Sequence, residues 1–317
     1  MSKALIIGHT GQDGTYLWKL LSGKNYDLMG VSNANVLSSQ KGNLEPIDIR
    51  NYSNVEKLIK SYQPDELYYL AAVHQSSSDK QMEEGELFQK SIDINSKALI
   101  NFLEATRLHS KETKIFYAAS SHIFGETTSP IQDENTPLNP NCIYGITKTM
   151  GIRANHFYRD NYQVFASVGI FYNHESPLRA SKYVSKKIVE TAVAIKYGLK
   201  DKLILGNLGH HVDWGYAPDY VEAAYRILQL NAPDDFIISS GATHSIRDFT
   251  EEVFTYLGLD WEKYVEINSH LITKKQKQNL TGNNEKLKNA TGWKNSVTFS
   301  ELIKILVDTE LEKHGAK

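Results

Sequence analysis

Apolar positions along this chain fall into two alternating rhythms, short unbroken runs and longer stretches in which apolar residues recur every three or four positions. Ala4–Ile7 is a short run of the buried-strand kind, and Tyr16–Ser22 continues as a helix beyond a glycine turn. Asp27–Val31 reads as a second strand and Leu44–Ile49 as a third. A helix follows over Asn54–Ser61, with Val55, Leu58 and Ile59 on one face. Glu66–Leu70 is a fourth strand, and Phe88–Thr106 one long helix with Ile92, Leu99, Phe102 and Leu103 on its apolar side. Lys114–Ala118, the long helix Tyr144–Asn161 and Phe165–Phe171 complete the alternation. Strands alternating with helices require parallel crossovers, so the pattern predicts an α/β fold built on a doubly wound parallel sheet. From about Asp248 the chain is more helical and more charged, which predicts a smaller α/β lobe.

The first strand runs directly into Gly8-His9-Thr10-Gly11-Gln12-Asp13-Gly14. Glycines at this spacing permit a tight turn and let the backbone approach a pyrophosphate, while the helix that follows offers unpaired N–H groups. The turn predicts a Rossmann-type dinucleotide site, with Gly8, Thr10, Gly11, Gln12, Asp13 and Gly14 at the cofactor. Ser32 and Asn33 end the second strand, where an acid selects NAD and an arginine accepts the phosphate of NADP. Neither is present, which tilts the expectation towards NADP over NAD. Asp48, with Ile49, is placed to accept from the adenine amino group, or else is a solvated turn residue. Leu70-Ala71-Ala72 ends the fourth strand with small residues that let a cofactor pass, or that simply pack. The expected division is an NAD(P)-binding domain at 1–171 and about 210–242, and a substrate-binding lobe at about 172–209 and 243–317.

Charge and composition narrow the partners. The 35 basic and 37 acidic residues of the 317 are well mixed, so no basic stripe points to nucleic acid. A single cysteine, Cys142, excludes an internal disulfide framework and fits the reducing cytoplasm; its place before a helix reads as packing. No apolar stretch reaches the roughly 18 residues a membrane helix needs, so no membrane partner is expected. The adjacent pair His210-His211 does not face one way in a helix or strand, and no metal site is expected there.

Tyr144-Gly145-Ile146-Thr147-Lys148 sets a phenol and an ammonium on one helix face. A tyrosine with pKa ~10 is a poor base until a nearby cation favours the phenolate. Lys148 can supply that charge while holding a nicotinamide ribose, and Ser120, just after the fifth strand, can donate to the same substrate oxygen. Asn173 follows the sixth strand, at the mouth where open α/β sheets hold ligands.

The glycine turn, Ser120, Tyr144 and Lys148 together resemble the extended short-chain dehydrogenases, and within them the GDP-mannose 4,6-dehydratase family. Thr10-Gly11-Gln12-Asp13-Gly14-Thr15-Tyr16-Leu17 is similar to that family's cofactor loop, and Asn173-His174-Glu175-Ser176-Pro177 to its substrate loop. Leu205-Gly206-Asn207-Leu208, Asp213-Trp214-Gly215, Asp219-Tyr220-Val221 and Thr291-Gly292-Trp293-Lys294 resemble its later segments, so the likeness spans most of the chain. The resemblance implies a nucleotide-sugar substrate, hydride transfer at sugar C4, and a homo-oligomer; Asn173, Arg179, Lys187 and Asn207 are the expected substrate contacts.

At several places the chain departs from that pattern. Where the family has a glutamate that takes the C5 proton and helps expel water at C6, this chain has His122. An imidazole can take and return a proton near neutrality. Alternatively His122 is only a substrate contact and the dehydration is lost, leaving an NDP-4-keto-sugar reductase or epimerase, or a non-catalytic cofactor-binding homologue. The family's arginine before Asp-Trp-Gly is Val212, and its arginine–proline–x–glutamate run falls at Thr273–Gln276. Lys186, Lys187, Lys274, Lys275 and Lys277 are candidate replacements for the lost diphosphate contacts, or else a solvated face. The basic segment that supports tetramers in the family is missing after the second strand, so a dimer and a tetramer are both expected forms.

Overall fold

The computed structural model describes residues 1–75, 82–268 and 280–315. The chain opens with β1 (Lys3–Ile7), α1 (Gln12–Gly23) and β2 (Asp27–Val31), then two short strands, β3 (Val36–Ser38) and β4 (Gly42–Leu44). It continues through α2 (Tyr52–Tyr62), β5 (Glu66–Tyr69), α3 (Glu84–Ile92), α4 (Leu99–His109), β6 (Lys114–Ser120), α5 (Ile143–Tyr162) and β7 (Ala166–Phe171). Next come β8 (Asn173–Glu175), α6 (Val184–Lys196), β9 (Leu203–Leu205), β10 (His211–Tyr216), α7 (Ala217–Leu228) and β11 (Asp235–Ile238). The last elements are β12 (Thr243–Ser245), α8 (Ile246–Tyr256), α9 (Trp261–Tyr264), β13 (Val265–Ile267), α10 (Glu285–Thr291) and α11 (Phe299–Gly315).

The main sheet has the order β11-β7-β6-β5-β1-β2-β3-β4. From β11 to β2 every neighbouring pair is parallel, because each strand returns through a helix. One face is covered by α1 and α7 through Leu17, Leu21, Tyr220 and Ala224, the other by α2, α4 and α5 through Val55, Ile59, Phe102 and Ile152. The fold is therefore the doubly wound Rossmann arrangement that the alternating pattern predicts. The expected third strand, Leu44–Ile49, does not form; β3 and β4 instead extend the edge in antiparallel pairs. A parallel third strand needs a crossover of a dozen or more residues, usually a helix, and the chain after Val31 turns back within Ser32–Asn35. Pro46 also removes an N–H from the proposed strand.

The predicted helix Phe88–Thr106 starts earlier, at Glu84, ends at His109, and is interrupted by a π-helical stretch at Asp93–Ala98. That stretch turns Asn95 inward, where it is fully buried. Asn95 Oδ1 accepts from the Val73 amide at 2.8 Å, and its Nδ2 donates to Val73 O at 3.2 Å and Thr147 Oγ1 at 3.0 Å. One side chain thus ties the segment after β5 to α5. Such bulges recur at functional sites.

The smaller lobe is built on the sheets β12-β10-β8 and β13-β9. Its core gathers Ile188, Val193, Trp214, Phe249, Phe254 and Leu306. Leu287 and Trp293 pack instead with α7 and β11 against the main sheet. Trp293 Nε1 donates to Asp219 O at 2.8 Å and Ser296 N donates to Asp219 Oδ2 at 2.9 Å, so two of the family-like motifs fasten each other. Asp213 does similar work: its carboxylate accepts from Ser240 N, Ser240 Oγ, Gly241 N and Gly282 N. Burial still pushes that carboxyl up to about 6. Among the described residues no helix is long and apolar enough to cross a membrane.

Candidate active site

The carboxyl ends of the parallel strands open into one cleft of about 2120 Å3 between the sheet and the smaller lobe. Gly8, Thr10, Gly11, Asp13, Ser32, Asn33, Asp48, Ile49, Leu70, Ala71 and Ala72 line it, as do Ser120, His122, Tyr144, Lys148, Asn173, Arg179, Lys187 and Asn207. Gln12 and Gly14 do not. Gly8 adopts φ +97°, and a Cβ there would lie 2.8 Å from Ala71 N. A Cβ on Gly14 would lie 2.3 Å from Gly8 O. The turn is thus closed tightly beneath the N-terminus of α1, where Asp13 lines the cleft. This is a cradle that fits a dinucleotide pyrophosphate.

The side chains of Gln12 and Asp13 are turned to the segment Asn173–Pro177. Gln12 Nε2 donates to His174 O at 3.2 Å, and Gln12 Oε1 accepts from Ser176 Oγ at 2.8 Å. His174 Nε2 meets Asp13 Oδ1 at 2.9 Å, and the His174 ring stacks on Tyr220 at 4.6 Å. Burial disfavours charge on both partners, but their mutual attraction outweighs it: His174 lies above the ordinary imidazole range and Asp13 below the carboxylate range. The two most family-like runs, 10–17 and 173–177, are therefore bolted to each other.

Lys148 is buried one turn below Tyr144 on α5, its Nζ donating to Ala118 O at 2.7 Å and lying 5.7 Å from the Tyr144 ring centre. Burial pulls the Lys148 ammonium down to about 7 and holds the Tyr144 phenol above its ordinary range. Below pH 7 Lys148 is charged in both folded and unfolded chains, and the cost of burying that charge is full. Between about pH 7 and pH 10 the folded chain has lost the proton that the unfolded chain keeps, so stability rises with pH. Urea titrations of the cofactor-free protein should show this rise, and Lys148→Met should flatten it; equal slopes in both proteins would refute the assignment.

Ser120 ends β6, and the short turn Ser121–Ile123 carries His122 into the cleft. Cys142 does more than pack. Its Sγ caps α5 by accepting from Gly145 N at 3.4 Å and lies 3.7 Å from His122 Nδ1. Sequence reasoning missed two further groups. His74, just beyond β5, lies edge-on to Tyr144 with ring centres 4.7 Å apart, and Tyr183 meets His74 Nδ1 at 3.3 Å. The signal for His74 was its place after a parallel strand; Tyr183 carries none.

The remaining expectations separate. Asp48 forms a two-pronged pair with Arg50, at 2.8 Å for each prong, rather than following a strand. Arg179 lies 3.2 Å from Glu175 and stacks over Tyr183 at 3.6 Å. Lys187 donates to Ile204 O at 2.8 Å, and Asn207 Oδ1 accepts from Gly209 N at 2.9 Å. Lys186 is no replacement for a diphosphate contact, because it is buried against Glu310 at 2.9 Å. Thr273–Gln276, Lys274, Lys275 and Lys277 lie outside the described residues. His210 faces the cleft, and among the described residues no group of three metal-ligating side chains converges.

A tight glycine turn and a Ser–Tyr–Lys set lining one cleft are the marks of an extended short-chain dehydrogenase. Residues 5–306 match the family model for GDP-mannose 4,6 dehydratase. GDP-mannose 4,6 dehydratase 2 of Arabidopsis thaliana is 36% identical over 98% of this chain and 87% of its own length. The human GDP-mannose 4,6 dehydratase is 30% identical over 98% and 91%. Among solved structures, RMD from Pseudomonas aeruginosa complexed with NADPH superposes with a TM-score of 0.81 at 18% identity, covering 99% of this chain and 100% of that one. The dTDP-glucose 4,6-dehydratase of Bacillus anthracis in complex with NAD gives 0.81 at 19%, covering 99% and 98%. The chain belongs to the GDP-mannose 4,6-dehydratase family, and is a nucleotide-sugar-modifying enzyme of the nicotinamide-dependent class.

Proposed function

We propose that this enzyme converts GDP-mannose to its 4-keto-6-deoxy derivative with loss of one water. The observation that carries the reading is the gathering of Ser120, His122, Tyr144 and Lys148 in the cleft that the glycine turn also lines: the His122 and Tyr144 rings are 5.7 Å apart, Lys148 Nζ is 5.7 Å from the Tyr144 ring, and Ser120 Oγ accepts from His122 N. A bound nicotinamide supplies the hydride acceptor for C4 and the hydride donor for C6. Tyr144 takes the proton of the C4 hydroxyl, Ser120 steadies that oxygen, and Lys148 stabilises the phenolate. The ketone acidifies C5–H, and His122 removes that proton. Asn173, Arg179, Lys187 and Asn207 hold the sugar nucleotide. In this reading 1–171 with about 210–242 binds cofactor, and about 172–209 with 243–317 binds substrate. A cytoplasmic setting accords with the free Cys142 thiol at the cleft. Incubation with GDP-mannose and NADP should give a product about 18 mass units lighter, one water. The imidazole at 122 favours a second reading, a 4-keto-sugar reductase or epimerase. Net consumption of NADPH, or a product of unchanged mass, would establish that reading instead.

The cofactor in this proposal is NADP. Support comes from Arg50, which lines the cleft with Ser32 and Asn33 and whose pair with Asp48 is half-exposed. An exposed pair of this kind yields readily to a phosphate. Arg50→Ala should raise KM for NADP roughly tenfold and leave KM for NAD unchanged; a parallel rise in both would remove the argument.

The working form is a homo-oligomer, with a dimer as its basic unit. The outer faces of α4 and α5 expose Ile100, Leu108, Met150, Phe157 and Tyr162, and Arg107 over the Tyr162 ring at 4.7 Å joins the two helices there. Phe157→Glu should shift the protein to monomers in size-exclusion chromatography with light scattering; an unchanged mass would show that another face assembles.

A further inference from the structure

His74 lies beyond β5 as His122 lies beyond β6, and these strands are hydrogen-bonded neighbours. Its backbone is well fixed, because Asn95 grips both the amide and the carbonyl of Val73. The His74 and His122 ring centres are 6.1 Å apart. Both rings line the cleft, so the two imidazoles can reach neighbouring atoms of one bound substrate. Each ring is also oriented through Nδ1, His74 by the Tyr183 hydroxyl at 3.3 Å and His122 by the Cys142 sulfur at 3.7 Å.

Dehydration at C5 and C6 moves two protons, one off C5 and one onto the departing oxygen, so two neighbouring groups can divide the work.

We propose that His74 is a second catalytic acid–base residue, the donor that protonates the departing C6 oxygen, with Tyr183 as its positioning residue. The proposal rests on the dehydratase reading above. Tyr144 takes the O4 proton as C4 becomes a ketone. Neutral His122 takes the C5 proton, and the C5–H electron pair forms the C5=C6 double bond. The C6–O bond breaks with its electrons on oxygen, and imidazolium His74 protonates that oxygen, so water leaves. Hydride addition at C6 then yields a C4–C5 enolate, and His122 returns its proton to C5. Tyr144 holds the O4 proton and His74 lacks one; transfer from phenol to the adjoining imidazole, whose rings are 4.7 Å apart, resets both. In each cycle water therefore takes the His74 proton, the O4 proton replaces it on His74, and the C5 proton goes out and back.

The test uses full-length enzyme with GDP-mannose and NADP in deuterated water. Three quantities are followed: NADPH formed in a single turnover, deuterium at C5 of recovered sugar, and the product one water lighter. His74→Asn should keep C4 oxidation and C5 exchange within about threefold of the parent, yet slow water loss at least a hundredfold. His122→Gln should keep C4 oxidation and lose C5 exchange. Tyr183→Phe should lower kcat for water loss about tenfold without changing KM for GDP-mannose or the rate of C4 oxidation. Water loss by His74→Asn within threefold of the parent overturns the proposal and leaves the dehydratase reading intact. Should His74→Asn lose C4 oxidation as well, Tyr183→Phe decides, and equal effects on both steps, or none on either, count against His74. A parent enzyme that oxidises C4 but releases no water overturns both.

Discussion

Tyr144→Phe should lower turnover by roughly a thousandfold or more, the scale expected when a positioned acid–base group is removed. The hydroxyl is the only atom lost, so the ring contacts with His74 at 4.7 Å and His122 at 5.7 Å remain. Cofactor affinity should therefore change little. The electrostatics of the cleft explain why the loss should be so large. In the cofactor-free cleft burial holds the phenol above its ordinary range, and buried Lys148 is pulled down to about 7. The two groups are poised in opposition: a charged lysine stabilises a phenolate, and a phenolate keeps the lysine charged. Removing the hydroxyl ends that exchange. Product formation followed by mass, with cofactor binding measured in parallel, checks the claim. Turnover within tenfold of the parent would mean that another group takes the O4 proton, and the Ser–Tyr–Lys reading would fall.

What was legible in the sequence was local. The glycine turn declares itself because a tight strand-to-helix turn needs glycine where Gly14 presses on Gly8 O. Tyr144 and Lys148 declare themselves because four residues are one helical turn. The relations that complete the site are not local. His74 and Tyr183 meet across 109 positions, and Asp13 and His174 across 161. No periodicity encodes such pairings; the crossover topology creates them. Adjacent lysines show the same boundary. Lys186 and Lys187 look interchangeable in sequence, yet one turns into the lobe towards Glu310 and the other towards the cleft. The third strand failed for a different reason. Its apolar run was real, but Ile47 and Ile49 pack against the core from an irregular segment. Burial alone does not distinguish a strand from a loop that covers one.

Gly14→Val should abolish cofactor binding, with the Kd for NADP raised a hundredfold or more. A Cβ at residue 14 would lie 2.3 Å from Gly8 O and 2.5 Å from His9 Cα, and both are backbone atoms that cannot swing aside. Gly8 has no room to retreat: its amide donates to Val31 O at 2.7 Å, and Ala71 N closes the other side. The turn must therefore open, and the amides at the start of α1 lose the aim that a pyrophosphate requires. Opening it also pulls Asp13 away from His174, so the segment Asn173–Pro177 is released in the same event. Overpacking of this kind typically costs about 1–3 kcal/mol of stability, and the melting temperature should fall with the affinity. The control lies in the same helix. Gly23 ends α1 with open space around it, so Gly23→Ala should bind NADP as the parent does and melt no lower. If Gly14→Val bound NADP normally, the first turn would not be the pyrophosphate cradle. If Gly23→Ala weakened binding equally, the loss would report only the helix and not the turn.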